Sequence, residues 1–481
     1  MMTYHSTRRR LLMTVFLLTC SAIVASDAQA ADGAADRPNI VLILADDLGY
    51  GDLGCYGHPR FRTPHLDRLA TQGARLSQFN TPAPFCAPTR ASLLTGHYPV
   101  HCGLPLNPAP DGRPPADALA LPDRNTLLPA YLKQAGYATA MIGKWHLGHR
   151  RPESWPVRRG FDEYLGILYS NDMRPVQLID GDRVVEYPLV QATLTERYTK
   201  RALEFIERQR EQPFFLYLAH AMPHKPLACS ERFYKKSGAG LYGDVLSELD
   251  DSVGQVLAKL TELGLNDRTL VIFTSDNGPW YGGSSGGLRG MKGTSWEGGF
   301  RVPCIVRWPG RVGTGRVVDE PAVMMDLFAT ICDAVALTAT LARPSDGRSL
   351  LPLLASDAPT NAPPLHRFIL GQHGGQLGTI RDRRWKLHVL AQETQPVHEP
   401  GEPWVDPRGP DGVTILAPYE QATRDQYPGL RSGDPTPAMA LFDLVNDPTE
   451  QHNVAAQHPE EVARLKALFD KASRDLTRTE R

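Results

Sequence analysis

The chain has 481 residues, with 52 Lys and Arg against 53 Asp and Glu, and a formal net charge of −1. This balance argues against a dedicated nucleic-acid or polyanion binder, which would carry a basic excess. A hydrophobic fraction of 42% allows an ordinary packed core and argues against global disorder. The length predicts about two to three domains, or one large α/β domain with an appendage.

The segment 1–30 has the pattern of an export signal. An arginine triplet at 8–10 precedes an apolar run over 11–25, and Ala28 and Ala30 form a small-x-small cleavage site. We therefore expect an exported, periplasmic or secreted mature protein without stable membrane insertion. A retained membrane anchor, a twin-arginine export route and lipoprotein anchoring at Cys20 are the alternatives.

Three unbroken apolar runs predict strands that are buried on both faces, as in a parallel sheet. They cover 39–45, 214–219 and 269–275. Each run leads into polar side chains, namely Asp46 and Asp47, His220 and His224, and Asp276 and Asn277. Because the carboxyl ends of parallel strands share one edge, we expect these side chains to meet there.

Helical patterns over 126–135, 198–209 and 241–263 lie between these runs and predict an α/β fold. Its large central sheet, mostly parallel or mixed, should be flanked by helices. The stretch 341–364 is rich in Ala, Pro and Asp and marks a boundary.

This boundary predicts a main domain over 37–360 and a smaller α+β subdomain over 361–481. The subdomain should contain hairpin strands at 368–370 and 385–389, forming a small antiparallel sheet, and a closing helix at 459–476.

Two strand ends carry oxygen ligands. Asp46, Asp47, Asp276 and Asn277 suit Ca²⁺ or Mg²⁺ better than zinc, because no Cys or His joins them at ligand spacing. Each pair alone is also ordinary turn chemistry after a strand. Together, on one sheet edge, they favour a metal site.

The segment 86–96 predicts a helix with a cysteine at its start. Pro88 suits the first helical turn and Gly96 suits the end of the helix. Cys86 would then lie at a helix N-terminus, which favours an anion, and Arg90 adds a cation. The alternative is a small buried cysteine in a proline-rich loop.

The run C-x-P-T-R at 86–90 closely resembles the signature of type I sulfatases, in which this cysteine is oxidised to formylglycine. A second signature of that family resembles Gly136-Tyr137-Ala138-Thr139-Ala140-Met141-Ile142-Gly143-Lys144-Trp145-His146. Further similarity covers 38–40, 160–162, 275–278, 292–299 and 441–448. The chain is thus similar to arylsulfatase-like, formylglycine-dependent members of the alkaline-phosphatase-like superfamily, with 37–360 as the catalytic domain.

The resemblance implies roles for individual residues. The metal ligands, normally for one Ca²⁺, would be Asp46, Asp47, Asp276, Asn277 and formylglycine at position 86, with Mg²⁺ as the alternative ion. Arg90 would hold the formylglycine. Lys144 and His146 would lie beside it, His224 near the leaving-group oxygen, and Lys292 and Ser170 on the sulfate. His220 has no assigned role and could be structural.

The implied reaction is hydrolysis of a sulfate ester to an alcohol and inorganic sulfate. One hydroxyl of the aldehyde hydrate would attack sulfur while calcium, Lys144 and Lys292 neutralise charge. His224, with help from Lys292, would protonate the departing alcohol, and His146 would accept a proton when sulfate is released. A formylglycine-generating enzyme would be the maturation partner.

Export makes sulfated glycans the first expected substrates, with aryl sulfates also possible. Alternatives are a phosphonate or phosphodiester hydrolase of the same superfamily, and an inactive secreted glycan-binding protein. Specificity loops are expected at 105–122, 281–288 and 396–435, with Trp404 and Tyr419 as candidate sugar-stacking residues. After removal of Cys20, five non-catalytic cysteines remain, and this odd number leaves at least one thiol unpaired.

Overall fold

The computed structural model describes residues 37–110, 112–359, 363–392 and 433–478. The predicted signal at 1–30, with Cys20, lies outside these ranges. Within them, no helix combines the length and apolar character needed to cross a membrane.

The described residues form sixteen strands, which make up three sheets. They are β1 (Asn39–Ala45), β2 (Ala74–Leu76), β3 (Phe79–Asn80), β4 (Ala138–Lys144), β5 (Glu163–Ile167), β6 (Leu178–Asp180), β7 (Arg183–Glu186), β8 (Phe214–Ala219), β9 (Thr269–Ser275), β10 (Cys304–Arg307), β11 (Arg316–Val318), β12 (Ala322–Val323), β13 (Ile369–His373), β14 (Gln376–Arg381), β15 (Trp385–His388) and β16 (Ala440–Asp443).

Helices pack around these strands. They are α1 (Pro64–Gln72), α2 (Cys86–Thr95), α3 (Pro99–Cys102), α4 (Leu128–Gln134), α5 (Leu194–Arg208), α6 (Gly240–Glu262), α7 (Glu297–Phe300), α8 (Met325–Ala334), α9 (Leu351–Leu354) and α10 (Pro459–Arg478).

A ten-stranded sheet forms the centre of the fold, in the order β11-β2-β10-β9-β1-β8-β4-β5-β6-β7. The five strands from β9 to β5 are mutually parallel. Antiparallel pairs join β10 to β9 and β6 to β5. The predicted α/β fold with a large, mostly parallel mixed sheet is therefore confirmed.

The three apolar runs form β1, β8 and β9 with the predicted boundaries. Their residues are completely or almost completely buried, because helices cover both faces of the sheet. On one face Val41 and Ile43 pack with residues of α1, α5 and α6. On the other, Ile40 and Leu42 share a core with α2, α8 and α10. The helices predicted at 126–135, 198–209 and 241–263 occur as α4, α5 and α6, with shifted ends.

A four-stranded antiparallel sheet follows the large sheet along the chain, in the order β13-β14-β15-β16. The segments predicted as hairpin strands, 368–370 and 385–389, form β13 and β15 of this sheet, and β14, which was not predicted, lies between them and pairs with both. The closing helix is present as α10, and its Leu465 and Phe469 join the core on the α2 face. The exact domain limits stay a prediction.

Candidate active site

One edge of the large sheet collects the predicted polar side chains. β1 leads into Asp46 and Asp47, β9 into Asp276 and Asn277, and β4 ends on Lys144. These strands run parallel to one another through β8, so their carboxyl ends lie side by side. The sequence-based expectation that they share one edge is correct.

Cys86 is the first residue of α2, as predicted, and Gly96 ends this helix with φ at +75°. Every residue of α2 is buried. The Cys86 Sγ atom lies 3.4 Å from Asp46 Oδ1 and 3.9 Å from Asp47 Oδ1. Burial, followed by the charge of Asp46, raises the pKa of the Cys86 thiol well above its usual value. An unmodified cysteine here would stay protonated and would be a poor nucleophile.

The oxygen-rich side of the site fits a divalent cation. Ligand atoms of Asp46, Asp47, Cys86 and His224 all lie within 4.8 Å of one another. Asn277 Nδ2 donates a hydrogen bond to Asp47 Oδ1 at 2.7 Å. Its Oδ1 is buried without a hydrogen-bond partner among the described residues, so it is available to an ion. Carboxylate and amide oxygens are ligands that Ca²⁺ and Mg²⁺ favour.

Arg90, which lies one helical turn after Cys86, contacts the ends of β1, β4 and β9 with its guanidinium group. Its Nε donates to Asp276 Oδ2 at 2.8 Å, and its Nη1 donates to the carbonyl oxygen of Lys144 at 2.6 Å. Its Nη2 is 3.6 Å from Asp46 Oδ2. Arg90 therefore fixes two strand ends relative to each other and compensates buried carboxylates.

Two lysines face the same carboxylates from the other side. Lys144 Nζ forms a short ion pair with Asp46 Oδ2 and donates to Ser170 Oγ at 3.2 Å. Lys292 Nζ lies 2.7 Å from Asp47 Oδ1. Both ammonium groups are thus held by the carboxylates next to Cys86; Lys144 is fully buried, whereas the Lys292 side chain is 11% exposed.

The carboxylates of the site differ in how well the cations compensate them. Burial and the nearby charge of Asp276 raise the pKa of Asp46 to about 7. Burial also opposes ionisation of Asp276, but Arg90 and Lys144 outweigh it and lower the pKa of Asp276. Negative charge is therefore incompletely neutralised at Asp46, which favours a bound cation.

Two histidines border the thiol. His146 Nε2 lies 2.9 Å from the carbonyl oxygen of Pro108, to which it must donate, so Nδ1 holds the lone pair. His224 Nδ1 donates to the carbonyl oxygen of Lys225 at 2.5 Å. Its Nε2 lies 3.2 Å from Ser170 Oγ. Burial, supported by nearby lysines, lowers the pKa of both rings well below the usual value.

His146 and Asp47 have an uncommon backbone conformation, with φ at +63° in both. Such left-handed residues other than glycine concentrate at functional sites.

His220, to which the sequence assigns no role, contacts Ser252 through Nε2 at 3.3 Å. Its placement supports a structural function.

A cavity of about 150 Å³ opens onto Cys86, His146, Ser170, His224 and Lys292. Sequence reasoning did not assign the remaining side chains that line it, which are Phe85, Asn107, Asp172, Met173 and Trp280. They come together only through the fold and share no motif. Asn107 does lie within the predicted specificity loop 105–122, and Trp280 directly precedes the loop 281–288.

The predicted loops differ in their relation to the site. In the loop 105–122, Asn107 and Pro108 both reach it. The loop 281–288 is fixed to the segment after β1, since Ser284 N donates to Asp52 Oδ1 at 2.6 Å. Of the third loop, 396–435, only residues 433–435 are described, and Trp404 and Tyr419 lie outside the described residues.

Comparison with known proteins places the chain among enzymes with this kind of site. The sulfatase family model matches residues 38–337. Human N-acetylgalactosamine-6-sulfatase is 40% identical over 73% of this chain and 73% of its own length. Mouse steryl-sulfatase is 36% identical over 96% of this chain and 85% of its own.

A solved Bacteroides thetaiotaomicron structure, described under metabolism of multiple glycosaminoglycans, superposes with a TM-score of 0.74. It is 27% identical in sequence, and the match covers 91% of this chain and 99% of that one.

The chain belongs to the sulfatase family. Its fold and its cysteine-centred site agree with that membership, and the predicted resemblance to type I sulfatases is confirmed. The protein is a sulfuric ester hydrolase, so the enzyme prediction is confirmed.

Proposed function

We propose that the enzyme removes sulfate from sulfated saccharides outside the cytoplasm, with a formylglycine made from Cys86. One Ca²⁺ ion would be held by Asp46, Asp47, Asp276 and Asn277. The main support is the position of Cys86 Sγ, 3.4 Å and 3.9 Å from two buried carboxylates that are also paired with lysines. A formylglycine-generating enzyme would act on the chain before it folds around this buried position.

Calcium at the carboxylates supplies positive charge for sulfate oxygens, and formylglycine supplies a geminal diol with one nucleophilic and one releasing hydroxyl. Arg90 positions this group, because its guanidinium is fixed between Asp276 and the end of β4. No motion of Arg90 is needed during the reaction, so its charge is preorganised.

Lys144 and Lys292 bind the sulfate oxygens. Their ammonium groups are already held at the site by Asp46 and Asp47, and Ser170 adds a hydroxyl next to Lys144. Fixed charges in a dry site stabilise a transition state more strongly than mobile ones in water. These groups therefore neutralise charge that develops as the sulfate ester bond breaks.

His146 accepts a proton through Nδ1, which is buried without a partner among the described residues and holds the lone pair. His224 presents Nε2 towards Ser170 on the substrate side. A neutral His224 ring has no proton on Nε2, because Nδ1 carries it. We therefore propose that the Lys292 ammonium, held beside Asp47, gives its proton to the departing alcohol, and that His224 Nε2 positions this alcohol by accepting a hydrogen bond from the hydroxyl so formed.

The saccharide class is supported by the relatives and by the cavity. One curated relative is named for N-acetylgalactosamine 6-sulfate, and the solved structure is described under glycosaminoglycan metabolism. The cavity combines the amide of Asn107, the carboxylate of Asp172 and the ring of Trp280. Polar groups beside an aromatic ring suit a sugar, which has hydroxyl edges and an apolar face.

A substrate panel tests the proposal. N-acetylgalactosamine 6-sulfate, other defined sulfated saccharides, an aryl sulfate, a steryl sulfate and a phosphonate ester would be compared by kcat/KM, with Cys86→Ala as the blank. We expect a sulfated saccharide to be the best substrate and the variant to be inactive. A higher kcat/KM for the steryl sulfate or the phosphonate would contradict the saccharide assignment.

A further inference from the structure

A second group of metal-ligating side chains lies at the opposite end of α2 from Cys86. His97 follows the end of α2, His101 belongs to α3, and Asp346 comes from the segment before α9. One ligand atom of each residue lies within 4.8 Å of the other two. None of these residues has a part in the sulfatase chemistry described above.

The distances within this group match those between ligands of one small ion. His97 Nδ1 lies 3.5 Å and His101 Nδ1 lies 2.9 Å from the same oxygen, Asp346 Oδ2. Zinc ligands about 2.1 Å from a tetrahedral ion are separated by about 3.4 Å. An ion would need only a small side-chain shift, mainly of His101, to reach all three atoms.

The main chain fixes the carboxylate in place. Asp346 N donates to the carbonyl oxygen of Gly96 at 2.8 Å, and Tyr98 N donates to Asp346 Oδ2 at 2.8 Å. His97 and His101 lie on either side of Tyr98 along the chain. The three ligands are therefore preorganised by backbone contacts, not gathered from mobile loops.

A nitrogen aimed into this group lacks a partner. His97 is only 7% exposed, and its Nδ1 is buried without a hydrogen bond among the described residues. An unsatisfied buried nitrogen is costly, and a metal bond would remove that cost.

A cavity of about 30 Å³ adjoins His97, with Arg124 and Arg343 in its wall. It has space for one water molecule or a small anion such as chloride, and of the three residues of the group His97 is the one that lines it. The two arginines favour an anion.

We propose that His97, His101 and Asp346 bind one zinc ion with a structural role. Two imidazoles and one carboxylate suit zinc, whereas the active site offers mainly oxygen ligands that suit calcium. The ion would fasten the end of α2 to the segment before α9 and would thereby stabilise the helix that carries Cys86.

Zinc binding to the full chain would be titrated in excess calcium, which occupies the active site, with a chromogenic chelator as competitor. The test variant is H97R/H101R, because arginines can still pair with Asp346 but do not bind zinc. A single His97→Gln variant covers the case in which the double variant does not fold. His452→Gln, at an exposed histidine, is the matched control.

We expect one zinc ion per wild-type and His452→Gln chain, with affinity lowered on the order of 100-fold or more in either cluster variant. Cobalt should give the visible absorption of a tetrahedral site only where zinc binds, and zinc should raise Tm only in the binding proteins. Absence of zinc binding to the wild type, or equal binding to the cluster variants, would overturn the proposal. Sulfatase activity is not the readout, so failure here leaves the proposed function intact.

Discussion

Two groups of buried charges behave differently in this protein. The active-site group contains Asp46, Asp47, Asp276, Arg90, Lys144 and Lys292, together with the amide of Asn277, which donates to Asp47. The second group, which we call the Glu297 network, contains Glu297, Glu450, Arg301, Arg381, Lys386 and His388. Both mix acids with bases, and all their residues are buried except Lys292, whose side chain is 11% exposed.

The carboxylates of the Glu297 network are satisfied within the network and its backbone. Glu297 Oε2 accepts from Arg301 at 2.6 Å and Arg381 at 2.8 Å, and its Oε1 accepts from Lys386 at 3.1 Å. Burial opposes ionisation of Glu297, but Arg381 and the other cations outweigh it and lower its pKa. The network joins α7 to β14 and β15, so its function is to hold the two sheets together.

The active-site group is not satisfied in this way. Asp46 has a raised pKa, and both Asn277 Oδ1 and Arg90 Nη2 lack hydrogen-bond partners among the described residues. The difference teaches that buried charge alone does not mark a functional site. The active-site group is distinguished by an unpartnered amide oxygen, which suits a metal, and an unpartnered guanidinium nitrogen, which suits an anion. In the Glu297 network the corresponding unpartnered atom is a ring nitrogen of His388, and its carboxylate oxygens are all paired.

The strongest effect is expected when the satisfied network is broken. Glu297→Gln leaves three buried cations without their shared carboxylate and should lower the free energy of unfolding by about 3–5 kcal/mol. Urea denaturation measures this loss. Glu460→Gln, at an exposed glutamate, is the control and should change stability by less than about 0.5 kcal/mol. A cost for Glu297→Gln near that of the control would show that the network is not structural.

Removal of an active-site charge should instead affect turnover. Lys292→Met keeps the length of the side chain but removes the ammonium group beside Asp47. We expect kcat to fall about 10²–10³-fold, as for loss of one preorganised charge in a transition state. Tm in the presence of calcium should change little. Steady-state kinetics and a thermal melt on the same sample measure the two effects. A large loss of stability with a normal kcat would mean that Lys292 supports the fold and not the reaction.

Calcium should stabilise the protein through the active-site group only. At a calcium concentration 100 times its Kd, the gain should be about 2.7 kcal/mol. Asn277→Ala removes the unpaired amide oxygen and should weaken this effect, as seen in Tm measured against calcium concentration. The Glu297 network offers no free carboxylate oxygen to calcium. Glu460→Gln, at an exposed glutamate outside both groups, is the control and should respond to calcium like the wild type. Equal calcium responses in wild type and Asn277→Ala would argue against the proposed ligand set.

The smallest effect is expected at Glu248. This buried acid lies outside both groups, and it accepts a hydrogen bond from Ser230 N. This acid on α6 is only 4% exposed, and burial raises its pKa to about 7, despite a hydrogen bond from Ser230 N. The folded state therefore binds a proton more tightly than the unfolded state, so stability falls as pH rises from about 4.5 to about 7. Glu248→Gln should be more stable than the wild type by about 1–2 kcal/mol at pH 8.

This advantage of Glu248→Gln should vanish near pH 4, below the unfolded-state pKa of about 4.5, where the wild-type acid is protonated in both the folded and the unfolded state. Urea denaturation at both pH values tests it. A difference that does not depend on pH would mean that Glu248 is ionised throughout and is stabilised by groups other than Ser230.

The sequence predicted the central strands well for a physical reason. β1, β8 and β9 are unbroken apolar runs, and such runs are stable only when both faces are covered. β14 escaped prediction because Gln376–Arg381 begins with an exposed polar residue and ends with a charge. That charge is Arg381, which can be buried because it pairs with Glu297, a residue 84 positions earlier.

The same limit applies to the active site. Cys86, Arg90 and the strand-end acids are in motifs or directly follow apolar runs, so their meeting was predictable. Asn107, Asp172 and Trp280 line the cavity through tertiary packing and leave no local pattern. The cluster of His97, His101 and Asp346 was missed similarly, since Asp346 is 245 positions from His101.

The central claim is that the side chain at position 86 acts as an aldehyde hydrate and not as a thiol. Mass spectrometry of the peptide that contains Cys86, on preparations of graded specific activity, tests it directly. We predict that the fraction with the mass of formylglycine rises in proportion to activity and that Cys86→Ala is inactive. A fully active preparation that contains only the unmodified thiol, or full turnover by Cys86→Ala, would contradict the account.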